Sequence, residues 1–308
     1  MVQMLATLEA NPTRALTSDR IDDLLRFAVE AFDRGPVALA TLVKIRGGAA
    51  RALGSHMVVA SDGRFCGYVS GGCVEAAVAT EALLAMAEGR DRTVKFGEGS
   101  PFFDVVLPCG GGISVAIHLL RSTEALQQVL DRLSQRQTAA LCYSPQSEAL
   151  TLTEVRARSG WIDEDFVTVY RPTTRVVISG ATAEVEAVTR LAETSGYAVT
   201  DWRDVTVARN ASQLLDPFTA VALLHHDLDA EATILTAALH SDAFYIGALG
   251  STRTHHRRVE RLRGRSFSQL DIDRIKAPIG MFGPTRDAAS LALSVLADIA
   301  AARLTSFG

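Results

Sequence analysis

The second half of the chain alternates strand and helix patterns, and this alternation constrains the fold more than any other feature. After Arg171-Pro172, apolar runs such as RVVISG, AVALLHHD and AFYIGALG alternate with helical stretches such as ATAEVEAVTRLAETSG and TRTHHRRVERLRG. Short strands separated by helices of this length are typical of a doubly wound parallel sheet. The pattern therefore predicts an α/β domain over residues 171–308.

Residues 1–170 show a different, mixed α+β pattern. An amphipathic helix is predicted over 19–34 with Ser18 as its N-cap, and a strand is predicted from Pro36. Asp62-Gly63 separates two apolar runs and predicts a hairpin. A helix then ends at Gly89, and alternating stretches between 139 and 169 predict an antiparallel end to this domain. A chain of 308 residues is long enough for two such domains.

Composition excludes several classes of partner. The formal net charge of -4 gives no reason to expect a nucleic acid. The first 20 residues lack a basic segment followed by an apolar core, and no apolar run approaches the length that spans a bilayer, so no signal peptide or membrane partner is predicted. The 4 cysteines form no CxxC pair, which fits a reducing cytoplasm.

A glycine pair precedes the first-domain helix in GYVSGGCVE, residues 67–75. A Gly-Gly step before a helix leaves backbone N–H groups near the helix N-terminus, which is a common anion site. Cys73 is expected in the first helical turn, where a thiolate is favoured and could act as a soft ligand or a nucleophile. The alternative is a tight turn with a small apolar cysteine packed beneath it.

A second cysteine beside glycines occurs in LPCGGG, where Cys109 precedes Gly110 and Gly111. Glycine runs often serve backbone turns alone. If the two cysteine–glycine elements converge, however, they form a pocket with two thiols and many N–H donors. Because soft thiolates bind soft metals, that pocket suits an anionic metal species with oxygen or sulfur ligands.

Arg51, at the end of RGGAAR, is a candidate for pairing with an anion. Its guanidinium could bind a phosphate or a carboxylate in bidentate fashion. The alternative is an exposed arginine without a ligand.

Two glycine turns in the second domain are candidates for phosphate binding. Gly180 ends a strand before a helix and Asp201 follows the next strand, as in a dinucleotide-binding fold. In the G-x-G-x-x-G register Thr182 takes the second position, where a Cβ blocks close approach of a pyrophosphate, so the sequence argues against tight NAD(P) binding. Gly250-Ser251 lies between a strand and a helix and could hold a phosphate at the helix N-terminus.

These elements, in this order, resemble the XdhC/CoxI family over nearly the whole chain. The first domain of the family follows the pattern RGSxPRxxGxxM, SGGCVE and CGG. Here SGGCVE is intact at 70–75 and CGG at 109–111, whereas Gly48 and Ala50 replace the usual Ser and Pro. The C-terminal half is similar to the family's Rossmann-like half, with HD at 226–227, YIGALGS at 245–251 and PIG at 278–280, although GATA at 180–183 replaces the usual GAGH.

The resemblance implies a cytoplasmic accessory protein rather than an enzyme. Such a protein binds molybdenum cofactor of the molybdopterin type, protects it during sulfuration and inserts it into an apo-molybdoenzyme of the xanthine dehydrogenase or CO dehydrogenase class. A cysteine desulfurase and a second copy of the chain, giving a homodimer, are further candidate partners.

The resemblance also implies a binding site. Cys73 and Cys109 would lie near the molybdenum, Arg51 and the Gly71-Gly72 amides would bind anionic groups, and Glu75 would orient the loop. The candidate cofactor-binding residues are Arg51, Ser70, Gly71, Gly72, Cys73, Glu75, Cys109, Gly110, Gly111, Gly180, Asp201, Gly250 and Ser251.

Two other functions remain open at this point. An NAD(P)-dependent oxidoreductase would use the Rossmann-like half, but it requires the glycine loop that this chain lacks. A degenerate relative that only binds another protein would explain the departures at Gly48, Ala50 and Thr182.

Overall fold

The structure, a computed structural model, describes residues 10–97, 110–180, 182–202 and 214–307. The chain divides into two compact units, Met1–Arg171 and Pro172–Gly308. Each unit has its own hydrophobic clusters. The mixed α/β architecture expected from the sequence is confirmed.

The first unit contains a six-stranded sheet with the strand order β1-β4-β3-β2-β6-β5. Its strands are β1 (Thr13–Arg14), β2 (Val37–Arg46), β3 (His56–Ala60), β4 (Arg64–Gly67), β5 (Arg92–Gly97) and β6 (Gly112–Leu119). The pair β1–β4 is parallel and the other pairs are antiparallel. The Asp62-Gly63 hairpin is confirmed, because it joins β3 to β4.

Helices cover both faces of this sheet, which explains the continuous apolar run of β2. Helix α1 (Ile21–Phe32) lies on one face and helix α2 (Glu75–Glu88) on the other. Ala40 and Leu42 belong to the cluster under α2, whereas Val37 and Leu39 belong to the cluster under α1. Residues of α3 (Glu124–Ser134), Leu126 and Val129, extend the α1 cluster.

A four-stranded antiparallel sheet completes the first unit, as the alternating stretches predicted. Its strands are β7 (Ala139–Ser144), β8 (Ala149–Leu152), β9 (Gly160–Ile162) and β10 (Asp165–Tyr170), in the order β8-β7-β10-β9.

The second unit is a five-stranded sheet in which every described pair is parallel. Its strands are β11 (Arg175–Gly180), β12 (Ala198–Asp201), β13 (Thr219–Leu224), β14 (Tyr245–Ala248) and β15 (Ile275–Lys276), in the order β12-β11-β13-β14-β15. Its helices are α4 (Thr182–Thr194), α5 (Ala232–Leu239), α6 (Thr252–Arg263), α7 (Gln269–Asp273) and α8 (Ala288–Phe307). Apolar clusters on both faces of the sheet make it doubly wound, as predicted.

Two sequence expectations about the helices were wrong. The N-cap of α1 is Arg20, not Ser18, whose hydroxyl donates to Asp23 at 2.5 Å. Helix α8, of 20 residues, is long and apolar enough to cross a membrane by length and composition, although no such run was expected. Its apolar character has a local explanation, because Val295 and Ile299 are buried in the cluster that also contains the α4 side chains.

Close packing behind β14 generates a prediction about Gly247. A Cβ at Gly247 would lie 2.5 Å from the Ile279 side chain, so Gly247→Ala should destabilise the second unit by about 1–3 kcal/mol through overpacking. Urea unfolding followed by Trp202 fluorescence, in a Trp161→Phe background, measures this change. Gly264→Ala is the control, since its Cβ would meet only ordinary contacts at 3.5 Å or more. Equal stability of the two variants would contradict the packing described.

Candidate functional site

Three segments that the sequence singled out meet at one edge of the six-stranded sheet: 46–51, 70–75 and the glycines 110–112. The last residue of β2, Arg46, pairs with Gly112 at the start of β6, and Gly97 at the end of β5 pairs with the same residue. A Cβ at Gly111 would lie 2.5 Å from the carbonyl oxygens of both Arg46 and Gly48. Glycine is therefore required at 111 by the close approach of the segment that follows β2.

The loop between β4 and α2 lies at the same edge. A Cβ added to Gly71 would contact the Cβ of Ala50 at 3.4 Å. The segment 46–51 thus contacts both the glycine triplet on one side and the SGGCVE loop on the other.

The Glu75 carboxylate organises the SGGCVE loop. Its two oxygens accept five backbone N–H groups at 2.9 to 3.2 Å, from Val69, Ser70, Gly71, Gly72 and Val74. They also accept the Ser70 hydroxyl at 2.9 and 3.1 Å. The positive φ angles of Gly71 (93°) and Gly72 (119°) turn consecutive amides toward this carboxylate.

Glu75 is only 2% exposed, and its charge is stabilised by these donors. Burial alone would raise the pKa of Glu75, but hydrogen bonds from the backbone and hydroxyl of Ser70 and from Val69 hold that pKa below its usual range. Within the described residues, no Lys or Arg forms a salt bridge with it. The N-terminus of α2, where Glu75 is the first residue, adds a favourable field.

The expectation that the Gly71 and Gly72 amides bind anionic groups of a ligand was wrong. These N–H groups donate to Glu75, so the loop supplies its own anion. The Ser70 hydroxyl is engaged as well, because it also accepts the N–H groups of Cys73 and Val74 at 3.1 and 3.2 Å.

Cys73 is exposed on this locked loop. It lies before the N-cap residue Val74 and not in the first helical turn as expected. Cys109, the other expected thiol, lies outside the described residues, and its neighbour Gly110 is exposed. The structure therefore brings together the SGGCVE loop, the segment containing Arg51 and the glycines after Cys109.

Arg51 has partners within the protein. Its Nη1 donates to Asp19 at 2.8 Å, and its guanidinium carbon lies 5.0 Å from the Tyr68 ring centroid. It lines a cavity of about 240 Å³ together with His56 and Tyr170. The His56 ring is held between Thr41 and Tyr170, and burial lowers the pKa of His56 to about 4. Of this group, the sequence singled out only Arg51. Asp19, for example, is 32 positions from Arg51 and has no local signal.

The other described thiols lie in different environments. Cys66 is buried in the α1 cluster, and burial raises the pKa of its thiol to about 12. Cys142 is partly buried. Burial is the main cause that raises the pKa of its thiol, and the nearby Asp165 carboxylate raises it further. Across residues 10–97, 110–180, 182–202 and 214–307, no group of three or more His, Cys, Asp or Glu side chains is arranged to hold a metal ion.

The candidates in the second unit are only partly brought together. Gly250 and Ser251 line a cavity of about 770 Å³ at the carboxyl end of β14. Gly180 and Asp201, at the ends of β11 and β12, are not among its lining residues. A Cβ at Gly180 would lie 2.4 Å from the carbonyl oxygen of Leu224, so this glycine serves strand packing.

Comparison with known proteins assigns the family. The chain matches the description "XdhC and CoxI family" over residues 32–97 and "XdhC Rossmann domain" over 176–299. It is 49% identical to the Molybdenum cofactor insertion chaperone PaoD of Escherichia coli, over 95% of this chain and 92% of that protein. The chain belongs to the XdhC and CoxI family.

Two further proteins that this chain resembles have names that refer to xanthine dehydrogenase. This XdhC and CoxI family member is 24% identical to a probable xanthine dehydrogenase subunit of Bacillus subtilis, over 87% of this chain and 93% of that protein. A crystal structure described as a xanthine dehydrogenase from Bacillus halodurans superposes with a TM-score of 0.72 at 22% identity, covering 94% of this chain and 96% of that one. The latter likeness shows the shared fold.

The Glu75 network predicts a specific loss of stability. Glu75→Gln replaces one acceptor oxygen by an NH₂ group that faces N–H donors, so it should destabilise the first unit by about 2–4 kcal/mol. Urea unfolding followed by Trp161 fluorescence in a Trp202→Phe background measures this. Glu88→Gln, on the same helix, removes ion pairs with Arg90 and Arg92 and should cost under about 1 kcal/mol. Equal costs for both variants would contradict the network.

The same network predicts a pH dependence. Because the pKa of Glu75 is lower in the folded chain than in the unfolded chain, its carboxylate stabilises the fold above the unfolded pKa of about 4.3. This contribution is lost as the pH falls through the lower folded pKa. The difference in unfolding free energy between wild type and Glu75→Gln should therefore shrink below about pH 4.3. Other carboxylates are present in both proteins and cancel. A constant difference down to acid pH would refute the assignment.

Proposed function

We propose that this protein is a molybdenum cofactor insertion chaperone: it binds the cofactor, protects it during sulfuration and inserts it into a xanthine dehydrogenase-type molybdoenzyme. The observation that carries this proposal is the 49% identity to the E. coli chaperone across 95% of the chain. Under the proposal the protein works in the cytoplasm as an accessory factor and not as a catalyst.

The described edge of the first unit supports the binding step. Cys73 is exposed on a loop whose backbone is fixed by Glu75, so a thiol is offered to solvent without loss of loop geometry. Soft thiolates suit a metal that already has sulfur ligands. We propose Cys73 and Cys109 as the groups near the molybdenum, with Gly110 and Gly111 beside them.

Arg51 is the proposed contact to an anionic group of the cargo. Its side chain keeps one bond to Asp19 through Nη1, and its guanidinium has further N–H donors for an anion. In this role the Asp19 contact orients the guanidinium. Glu75 then acts only on the loop, because its oxygens already accept the amides around it.

The proposed partners follow from the function. The client is an apo-molybdoenzyme of the xanthine dehydrogenase or CO dehydrogenase class, a cysteine desulfurase would supply the sulfur, and the protein would act as a homodimer. The family assignment supports this interpretation over the alternative of an NAD(P)-dependent oxidoreductase, for which the glycine loop at 180–183 is unsuited.

Cysteine variants test the proposal. Purified protein is incubated with molybdenum cofactor and passed through a desalting column, and the retained molybdenum is measured per chain. Wild type should retain the metal, and Cys73→Ser and Cys109→Ser should each lose about tenfold or more of it, since the loss of a metal-binding group costs at least that much.

Cys142→Ser is the matched control, because it removes a thiol on β7, outside the SGGCVE loop, and should retain the metal as wild type does. Mixing the loaded proteins with an apo-molybdoenzyme then measures transfer as regained activity. Full retention by both the Cys73 and the Cys109 variants would remove the thiols from the site. No retention by wild type would refute the function.

A further inference from the structure

A cavity that the proposed cargo site leaves unused lies in the second unit. It measures about 770 Å³ and opens at the carboxyl ends of β13 and β14, where His226 and the segment 249–252 follow the strands. Ligands of open α/β sheets bind at this edge. Its volume falls within the roughly 300–1,000 Å³ of small-molecule sites.

The far wall of the cavity is preformed. The segment that follows β15 is tied to β14 by Ile279 N–H, which donates to the Ala248 carbonyl at 3.0 Å. It is tied to α8 by Met281 N–H and Phe282 N–H, which donate to the Ser294 carbonyl and hydroxyl at 3.0 and 2.9 Å. These bonds fix the backbone of the wall at three positions, so the space does not depend on a loose loop.

The near wall is also fixed. Arg258, 2% exposed, places its guanidinium on the Glu231 carboxylate at 2.5 and 3.0 Å and donates to the Leu249 carbonyl at 2.9 Å. This buried ion pair holds the backbone just before Gly250. A ligand would therefore enter a rigid site and would not have to order it.

The polar groups of the cavity favour an anion. Lys276 and His226 line it, and no Asp or Glu is among its described lining residues. The His226 Nε2 lies 3.7 Å from a carboxylate oxygen of Glu184 outside the lining. The 12-residue helix α6 begins at Thr252, and Ser251 caps only the N–H of Thr254, at 3.3 Å. The Lys276 Nζ lies 3.8 Å from the carboxylate of Asp298, which also accepts the Tyr245 hydroxyl at 2.7 Å.

The remaining lining favours a flat apolar body. Leu249, Ile279 and Leu291 are among the lining residues, and Met281 and Phe282 line it with 53% of each exposed. A half-exposed aromatic ring beside a cavity offers a stacking face for a planar heterocycle. A lysine and a helix N-terminus together with an apolar lining define one class of ligand.

We propose that this cavity binds a phosphate-bearing heteroaromatic compound of mononucleotide size. Two sources share that chemistry: a free nucleotide, and the phosphate-bearing pterin of the cargo under the proposed function. Every lining residue of this cavity belongs to the second unit, whereas the thiol loop belongs to the first.

Calorimetric titration of the full chain tests the proposal with AMP, CMP, adenosine and inorganic phosphate as probes. AMP and CMP should bind, and adenosine should bind about tenfold more weakly because it lacks the charge. Lys276→Met should weaken the binding of AMP about tenfold and leave the binding of adenosine unchanged. Phe282→Ala should weaken the binding of AMP and of adenosine equally and leave the binding of inorganic phosphate unchanged.

Lys44→Met is the control, because Lys44 is exposed and lies outside the cavity. This variant should bind AMP as wild type does.

The source is distinguished by repeating the AMP titration after loading with molybdenum cofactor. Loss of AMP binding assigns the cavity to the cargo's pterin, and unchanged AMP binding assigns it to a free nucleotide. Both outcomes support a phosphate-bearing heteroaromatic ligand. The absence of binding by AMP and CMP at about 1 mM, or equal weakening by Lys276→Met and Lys44→Met, would overturn it. Because these titrations need no cofactor, their failure is distinct from a failure of cofactor retention.

Discussion

A buried carboxylate without a cationic partner is costly unless hydrogen bonds replace the lost water. In this protein that condition is met by one loop: five N–H groups and a hydroxyl converge on Glu75. The requirement acts in both directions. The carboxylate needs the loop to be ionised in the interior, and two glycines with positive φ need the carboxylate to satisfy their amides.

This mutual dependence of Glu75 and the loop determines which groups are exposed at this edge of the sheet. The loop backbone is turned inward, so the side chain of Cys73 is directed away from the network and remains exposed. The segment after β2 packs against Gly71 on one side and Gly111 on the other. In the function that we propose, a stiff loop matters because a cargo with a labile metal must be held and then released without refolding of its carrier.

Much of the fold was predictable from the sequence, because strand-helix alternation and the hairpin at Asp62-Gly63 are local signals. The hydrogen bonds of the loop were not. The motif SGGCVE is equally compatible with amides that face a ligand and with amides that face Glu75, and only the buried position of that side chain decides. The Arg51–Asp19 contact and the cavity wall formed by 279–282 were also hidden, because they join segments that are distant in sequence. Cys109 lies outside the described residues, and its role is still a prediction.

In the function that we propose, the Cys73 thiol on the loop fixed by Glu75 contacts the metal of the cargo. Molybdenum X-ray absorption of the loaded protein measures this contact directly, since it counts the sulfur atoms bound to the metal. We predict one sulfur neighbour more in wild type than in Cys73→Ser, with the remaining neighbours unchanged. Identical sulfur shells in the two proteins, at equal molybdenum content, would contradict the claim.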